Sequence, residues 1–220
     1  MNNLHYWVFH GYLGAQCDFA LRAFREISET LDPSKRALTP NEELNQKLWY
    51  SVKAFLVAYG NISKAFNPPP PPGDGKVSRY MVDKRGKELR EIFGEEVVSP
   101  FLRRSVRDHF EHFDERLDEW FYFSKDHNLV DSSIVSPSLL GLFSPDDTLR
   151  NLTLDGLLSW RFVLRFKTEE FDLKETVKAI ENLKVSLGQH LPTNSKGEYV
   201  PPTPNPSHPS TVNTEKKEET

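Results

Sequence analysis

Apolar residues recur at alternating steps of three and four over much of this chain, the pattern of amphipathic helices packed in a bundle. The first predicted helix runs from Tyr12 to Leu31 and ends before Pro33. The second begins at Pro40, inside a Thr-Pro-Asn-Glu capping sequence, and runs to Phe66. Five prolines at positions 68–72 then predict a stiff connector to the next helix.

The third predicted helix spans about Ser78 to Phe93, with Gly94 as its C-terminal cap. It carries a local basic group, which neighbouring acidic residues can balance as an ordinary exposed face and which consists of Lys84, Arg85, Lys87 and Arg90. A long central helix is predicted next, from an N-capping Ser99 to Trp120. Its apolar stripe is expected to pack into the bundle and consists of Leu102, Val106, Phe110, Phe113, Leu117, Trp120 and Phe121.

The charges of the predicted central helix run against the helix dipole. Arg103, Arg104 and Arg107 lie in its N-terminal half, where the dipole favours anions, and acidic residues fill its C-terminal half. Two interpretations account for this inversion: the arginines bind an external anion such as phosphate, or a second copy of the helix lies antiparallel. A third is a solvated face with local pairs such as Arg107 to Glu111.

The C-terminal third combines loop, strand and helix patterns. Residues 126–147 are rich in Ser, Pro and Gly and are predicted to form a surface loop. Strict alternation flanks Asp155-Gly156 and predicts a β-hairpin over about 148–166. A last helix is predicted over about 173–187, capped by Asp172. Residues 1–190 are expected to form one domain, and 191–220 a disordered tail.

Composition limits the class of protein. The 220 residues carry a formal net charge of −4, so the chain has no overall basic field and any contact with nucleic acid must be local. The single cysteine, Cys17, cannot form an intramolecular disulfide, and no targeting segment is evident at the N-terminus. No apolar run reaches the roughly 20 residues of a membrane span. We expect a cytoplasmic protein with no membrane partner.

Candidate chemistry lies on the central helix, in the sequence Arg107-Asp108-His109-Phe110-Glu111-His112. An arginine, a polar residue, three further residues and a histidine on a bundle helix resemble the motif of the HEPN superfamily. The chain is therefore predicted to be mainly α, a HEPN-like helical bundle with an appended β-hairpin and C-terminal helix. The resemblance implies a metal-independent endoribonuclease or an inactive bundle that binds RNA or a nucleotide.

The motif residues have reasonable roles in RNA chemistry. A histidine such as His112 can move a proton to or from a ribose 2′-hydroxyl, and Arg107 can stabilise charge on the phosphate. Asp108 would orient the pair, with Arg103 and Arg104 holding RNA phosphates. The alternative is structural: Arg107 pairs with Glu111, and Asp108 or Glu115 holds His112.

On one continuous helix, Arg107 and His112 would project roughly 140° apart, so a single copy of the helix would not bring them into one site. A two-fold homodimer could bring both residues of both copies into one cleft. The sequence therefore predicts RNA binding or cleavage at a dimer cleft, with no cofactor and no metal ion. The rival prediction is a non-catalytic helical interaction module.

Overall fold

The structure is a computed structural model of the whole chain. The residues that it describes are 3–32, 42–73, 75–103, 108, 111–125, 127–135, 148–155, 161–166 and 169–191. Of the predicted tail, 191–220, only Leu191 lies within these ranges, and the single-domain boundary at 190 stays a prediction.

The fold is mainly helical, as predicted. A short 3-10 turn, Ser99–Phe101, follows the fourth helix. The helices are α1 Asn3–Leu31, α2 Glu42–Phe66, α3 Arg79–Phe93, α4 Glu95–Val98, α5 Phe113–Phe123 and α6 Leu173–Gln189.

The core lies mainly between α1, α2 and α6. The rows predicted from helical spacing are buried in it, including Leu13 and Ile27 of α1 and Phe55 and Tyr59 of α2. Cys17 is also fully buried, and this burial raises the pKa of its thiol to about 12.

Helix α1 begins nine residues before the predicted start at Tyr12. Its first turns gain tertiary partners at the C-terminal end of α6. The Tyr6 hydroxyl donates to the carbonyl oxygen of His190 at 2.8 Å, and His10 Nε2 lies 2.9 Å from the carbonyl oxygen of Leu187. These long-range contacts extend the helix, and a local pattern cannot reveal them.

Helix α3 has the predicted C-terminal cap, Gly94, and an N-terminal cap, Ser78, that was not predicted. The Ser78 side chain accepts a hydrogen bond from the backbone N–H of Met81 at 3.3 Å, and Gly94 ends the helix at a φ of 82°. Between these caps, Gly86 packs directly on the proline connector. A Cβ at Gly86 would lie 2.7 Å from Pro68 Cδ and 2.9 Å from the carbonyl oxygen of Phe66.

We expect Gly86→Ala to destabilise the protein by about 1–3 kcal/mol, because the added methyl group overpacks this contact. Helix propensity alone would favour alanine by roughly 1 kcal/mol. Gly14→Ala in α1 is the matched control, since a Cβ there meets nothing within 4 Å. Urea unfolding of both variants checks the prediction, and equal stabilisation of both would contradict it.

The long helix predicted from Ser99 to Trp120 is wrong. Ser99 is not an N-cap: its φ of −51° and ψ of −37° are helical and continue α4 into the 3-10 turn that contains Pro100. Asp108 and Glu111 are helical again, but His112, with φ −108° and ψ 40°, interrupts the helix before α5 starts at Phe113. The inverted charge pattern therefore does not belong to one helix.

Helix α5 also contradicts the prediction that its apolar stripe packs into the bundle, since none of its residues is buried. Phe121, Tyr122 and Phe123 are 60%, 73% and 75% exposed. Asp114 and Glu115 lie in the first turn of α5, where the helix dipole stabilises negative charge. The acidic residues thus suit this shorter helix.

The predicted hairpin is confirmed within a larger sheet of four strands, in the order β1-β2-β3-β4. β2 pairs antiparallel with β3, β3 pairs antiparallel with β4, and β1 pairs parallel with β2. The strands are β1 Val130–Val135, β2 Thr148–Asp155, β3 Arg161–Phe166 and β4 Glu169–Asp172.

Two sequence predictions for this region are wrong, one for the turn after β2 and one for the loop before it. Asp155 pairs with Arg161, so residues 156–160 form the connection, in place of the predicted two-residue Asp155-Gly156 turn. Part of the predicted 126–147 loop is strand β1. Its central residues are polar, so its sequence lacks the usual alternation of a strand, and its pairing with β2 is irregular. Helix α6 starts as predicted, because Asp172 Oδ1 accepts from the N–H groups of Lys174 and Glu175 at 2.9 and 3.1 Å.

Candidate nucleic-acid interface

The 3-10 turn fixes the chain that leads into the Arg107–His112 motif. Phe101 is fully buried, and its ring centroid lies 6.0 Å from that of Phe66 and 6.0 Å from that of Tyr59. The Tyr59 hydroxyl donates to the carbonyl oxygen of Pro100 at 2.9 Å, and Asn67 Nδ2 donates to that of Leu102 at 3.2 Å. The segment is therefore held at the C-terminal end of α2.

Three of the five predicted site residues lie in the described part of the chain. Arg103 is exposed just after the 3-10 turn, Asp108 is half-buried, and His112 is exposed immediately before α5. Arg104 and Arg107 fall outside the described residues.

Asp108 and His112 are joined through the main chain, where the His112 N–H donates to the carbonyl oxygen of Asp108 at 3.0 Å. The imidazole lies against another residue, with Nδ1 2.9 Å from Glu115 Oε1. This contact confirms one part of the structural alternative, in which Glu115 holds the His112 ring.

This contact also has a chemical consequence. A carboxylate only accepts hydrogen bonds, so Glu115 favours the tautomer with the proton on Nδ1 and the lone pair on Nε2. The His112 side chain is 53% exposed. An accessible imidazole held in this tautomer is suited to accept a proton from a substrate.

An ion pair connects the motif segment to α2, since Lys64 Nζ contacts Glu111 Oε1. Lys64 also lines a surface pocket of about 280 Å³ between α1, α2 and α3. The other residues of this pocket are Val8, Phe9, Tyr12, Asn61, Ala65 and Arg85. The motif segment therefore lies beside a cleft that the sequence did not reveal, here called the Arg85 pocket.

Arg85 is the central cation of this pocket. Its guanidinium carbon lies 4.7 Å from the centroid of the Phe9 ring, and Nη2 donates to the carbonyl oxygen of Lys64 at 3.2 Å. Its Nε is buried and has no hydrogen-bond partner among the residues that the structure describes. Burial lowers the pKa of Arg85, but an arginine remains charged at neutral pH.

The Arg85 pocket combines types of side chain that can bind a nucleotide. Aromatic rings such as Phe9 and Tyr12 can stack on a base, and Lys64 and Arg85 can bind its phosphate. The sequence pointed to Arg85 only as part of a basic helix face. Phe9 was missed because the first helix was predicted to begin at Tyr12.

The described residues form neither of two other features, a metal site or a membrane-spanning helix. Across the described ranges, no group of three or more His, Cys, Asp or Glu side chains is arranged to hold a metal ion. None of the helices in those ranges has the length and apolar character needed to span a bilayer. The chain matches no protein-family model, and comparison with curated proteins and with solved structures gave no match either.

Proposed function

We propose that this protein binds RNA as a homodimer and cleaves it without a metal ion, with His112 and Arg107 as the reacting pair. One observation carries the proposal: the exposed His112, held by Glu115, directly follows Glu111, whose carboxylate contacts Lys64 at the edge of the Arg85 pocket. A candidate proton carrier thus lies next in the chain to a residue that contacts a candidate nucleotide-binding surface.

In this mechanism, His112 Nε2 accepts the proton of a ribose 2′-hydroxyl. The 2′-oxygen attacks the adjacent phosphorus, and the bond from phosphorus to the 5′-oxygen breaks, which leaves a 2′,3′-cyclic phosphate. The protonated His112 of the partner subunit donates a proton to the departing 5′-oxygen. Arg107 stabilises the negative charge on the phosphate, and Arg103 and Arg104 bind neighbouring phosphates.

The dimer in this proposal uses α5. Contiguous exposed apolar surface on a protein commonly marks an interaction site. Leu117 is 37% exposed, and the aromatic run from Phe121 to Phe123 is more exposed still. Because His112 immediately precedes α5, pairing two copies of α5 would place both catalytic histidines at one interface.

Light scattering tests the dimer directly. We expect the wild type at tens of micromolar to have twice the chain mass of 25.4 kDa, and Phe121→Glu to restore the monomer mass, because a buried unpaired charge opposes association. Tyr80→Glu is the control, since Tyr80 is 72% exposed on α3. A monomeric wild type would remove the composite site.

The proposed activity is tested with purified protein and end-labelled RNA of mixed sequence, in buffer with excess chelator. We expect saturable binding and products that end in a 2′,3′-cyclic phosphate. Protein that neither binds nor cleaves RNA at near-neutral pH and moderate salt would contradict the proposal.

A second function, a non-catalytic interaction module, is favoured by the same exposed face of α5. In that case the side-chain contact between Glu115 and His112 only stabilises the first turn of α5. A stable dimer with no affinity for RNA would support this module over the ribonuclease.

A further inference from the structure

A second and larger cleft lies between the C-terminal end of α1, strand β3 and the start of α6. Its volume is about 560 Å³, within the range of about 300–1,000 Å³ typical of small-molecule sites. Among the described residues, none lines both this cleft and the Arg85 pocket.

The floor of this cleft is apolar and well packed. The Phe24 and Phe162 rings meet edge to face, with centroids 5.9 Å apart. Leu31, Phe162 and Val177 are 2%, 6% and 8% exposed, so the core fixes their positions. Such a floor can accept an aliphatic or aromatic body without rearrangement.

The rim is polar and carries more positive than negative charge. Lys174 and Lys178 lie four residues apart on one face of α6, Ser28 lies on α1, and Asp32 directly follows α1. The Lys174 Nζ atom lies 5.1 Å from the centroid of the Phe162 ring. The amino group therefore extends over the apolar floor.

The positions of the two lysines favour an anion nearby. Like charges four residues apart repel each other, and Lys174 lies in the first turn of α6, where the helix dipole disfavours cations. An anion between them would relieve the repulsion and gain the dipole interaction. Because Asp32 occupies the α1 side, the anion is expected on the α6 side.

We propose that this cleft binds a medium-chain fatty carboxylate, with the hydrocarbon chain on Phe24 and Phe162 and the carboxylate between Lys174 and Lys178. The two contacts can be tested separately, because the floor binds an apolar body and the lysines bind a negative charge. Neither contact depends on the RNA function.

The test is an NMR titration of the ¹⁵N-labelled full chain with decanoate, and with uncharged decanol at equal concentrations. We expect saturable shifts at the amide groups of Ser28, Lys174 and Lys178, and binding of decanol about tenfold weaker, as expected for losing one charge-assisted interaction. Shifts confined to other residues, or equal affinity for decanol, would overturn the proposal.

Two variants and a control sharpen this test. Lys178→Glu is expected to weaken decanoate binding by about tenfold, while it suits the helix dipole and so leaves the fold intact. Ser28→Leu is expected to block the cleft for both ligands. Lys53→Glu changes an exposed lysine on α2 by the same charge and should keep the wild-type affinity. Unchanged binding by Lys178→Glu would overturn the proposal.

Discussion

We expect His112→Ala to lower the rate of RNA cleavage by about 10²–10⁴-fold, the usual contribution of a general acid or base. RNA affinity should change little, because a proton carrier acts mainly in the transition state. Since His112 is exposed and makes its ring contact with Glu115 alone among the described side chains, the midpoint of thermal unfolding should shift little. Cleavage, binding and melting are measured on the same samples.

Val185→Ala is the control for this experiment, because Val185 is 63% exposed on α6 and lies outside the motif. It should cleave RNA at close to the wild-type rate. Arg107→Ala should weaken both cleavage and binding, since an arginine also contacts the phosphate in the ground state. Full activity of His112→Ala would contradict the proposed chemistry.

Phe101→Ala is expected to lower the free energy of unfolding by about 3–5 kcal/mol, the usual cost of removing a fully buried phenylalanine side chain. The loss has two parts: the transfer of the ring out of the core, and the cavity left between Phe66 and Tyr59. Denaturant unfolding measures it. Cleavage should also fall under native conditions, because this ring anchors the chain that leads to His112.

Phe19→Ala provides the comparison for the buried ring. Phe19 is 59% exposed on α1, so its removal should change stability by no more than about 0.5 kcal/mol. Similar losses in the two variants would mean that the 3-10 turn does not dock as the structure shows.

The parts of the fold that the sequence predicted depend on local interactions. Helical spacing and side-chain caps are set within a few residues, so the start of α3 at Ser78, its end at Gly94 and the start of α6 after Asp172 were predicted correctly. The antiparallel pairing of β2 with β3 also followed from alternation within one short segment.

The central helix was mispredicted because its start depends on a distant contact. Ser99 and Pro100 look like a helix start in sequence, but burial of Phe101 between side chains of α2 takes the chain through a 3-10 turn. The spacing of apolar residues in α5 is helical, yet spacing alone does not show whether a partner covers them. The exposed stripe could therefore not be predicted.

The candidate site was predicted only in part for the same reason. His112 and Asp108 belong to one short motif and could be identified by spacing. The Arg85 pocket joins three helices that are far apart in sequence, and its link to the motif is a pair between Lys64 and Glu111. No local pattern contains that information.

The rate at which the buried Cys17 thiol is labelled measures how often the core opens. A thiol reacts as its thiolate, and with a pKa of about 12 only about one molecule in 10⁴ carries that form at pH 8. Alkylation must then proceed through states in which α1 separates from its neighbours. Because Cys17 is the single cysteine of the sequence, its labelling rate, divided by that of an unfolded peptide, gives the equilibrium constant for this opening without any substitution.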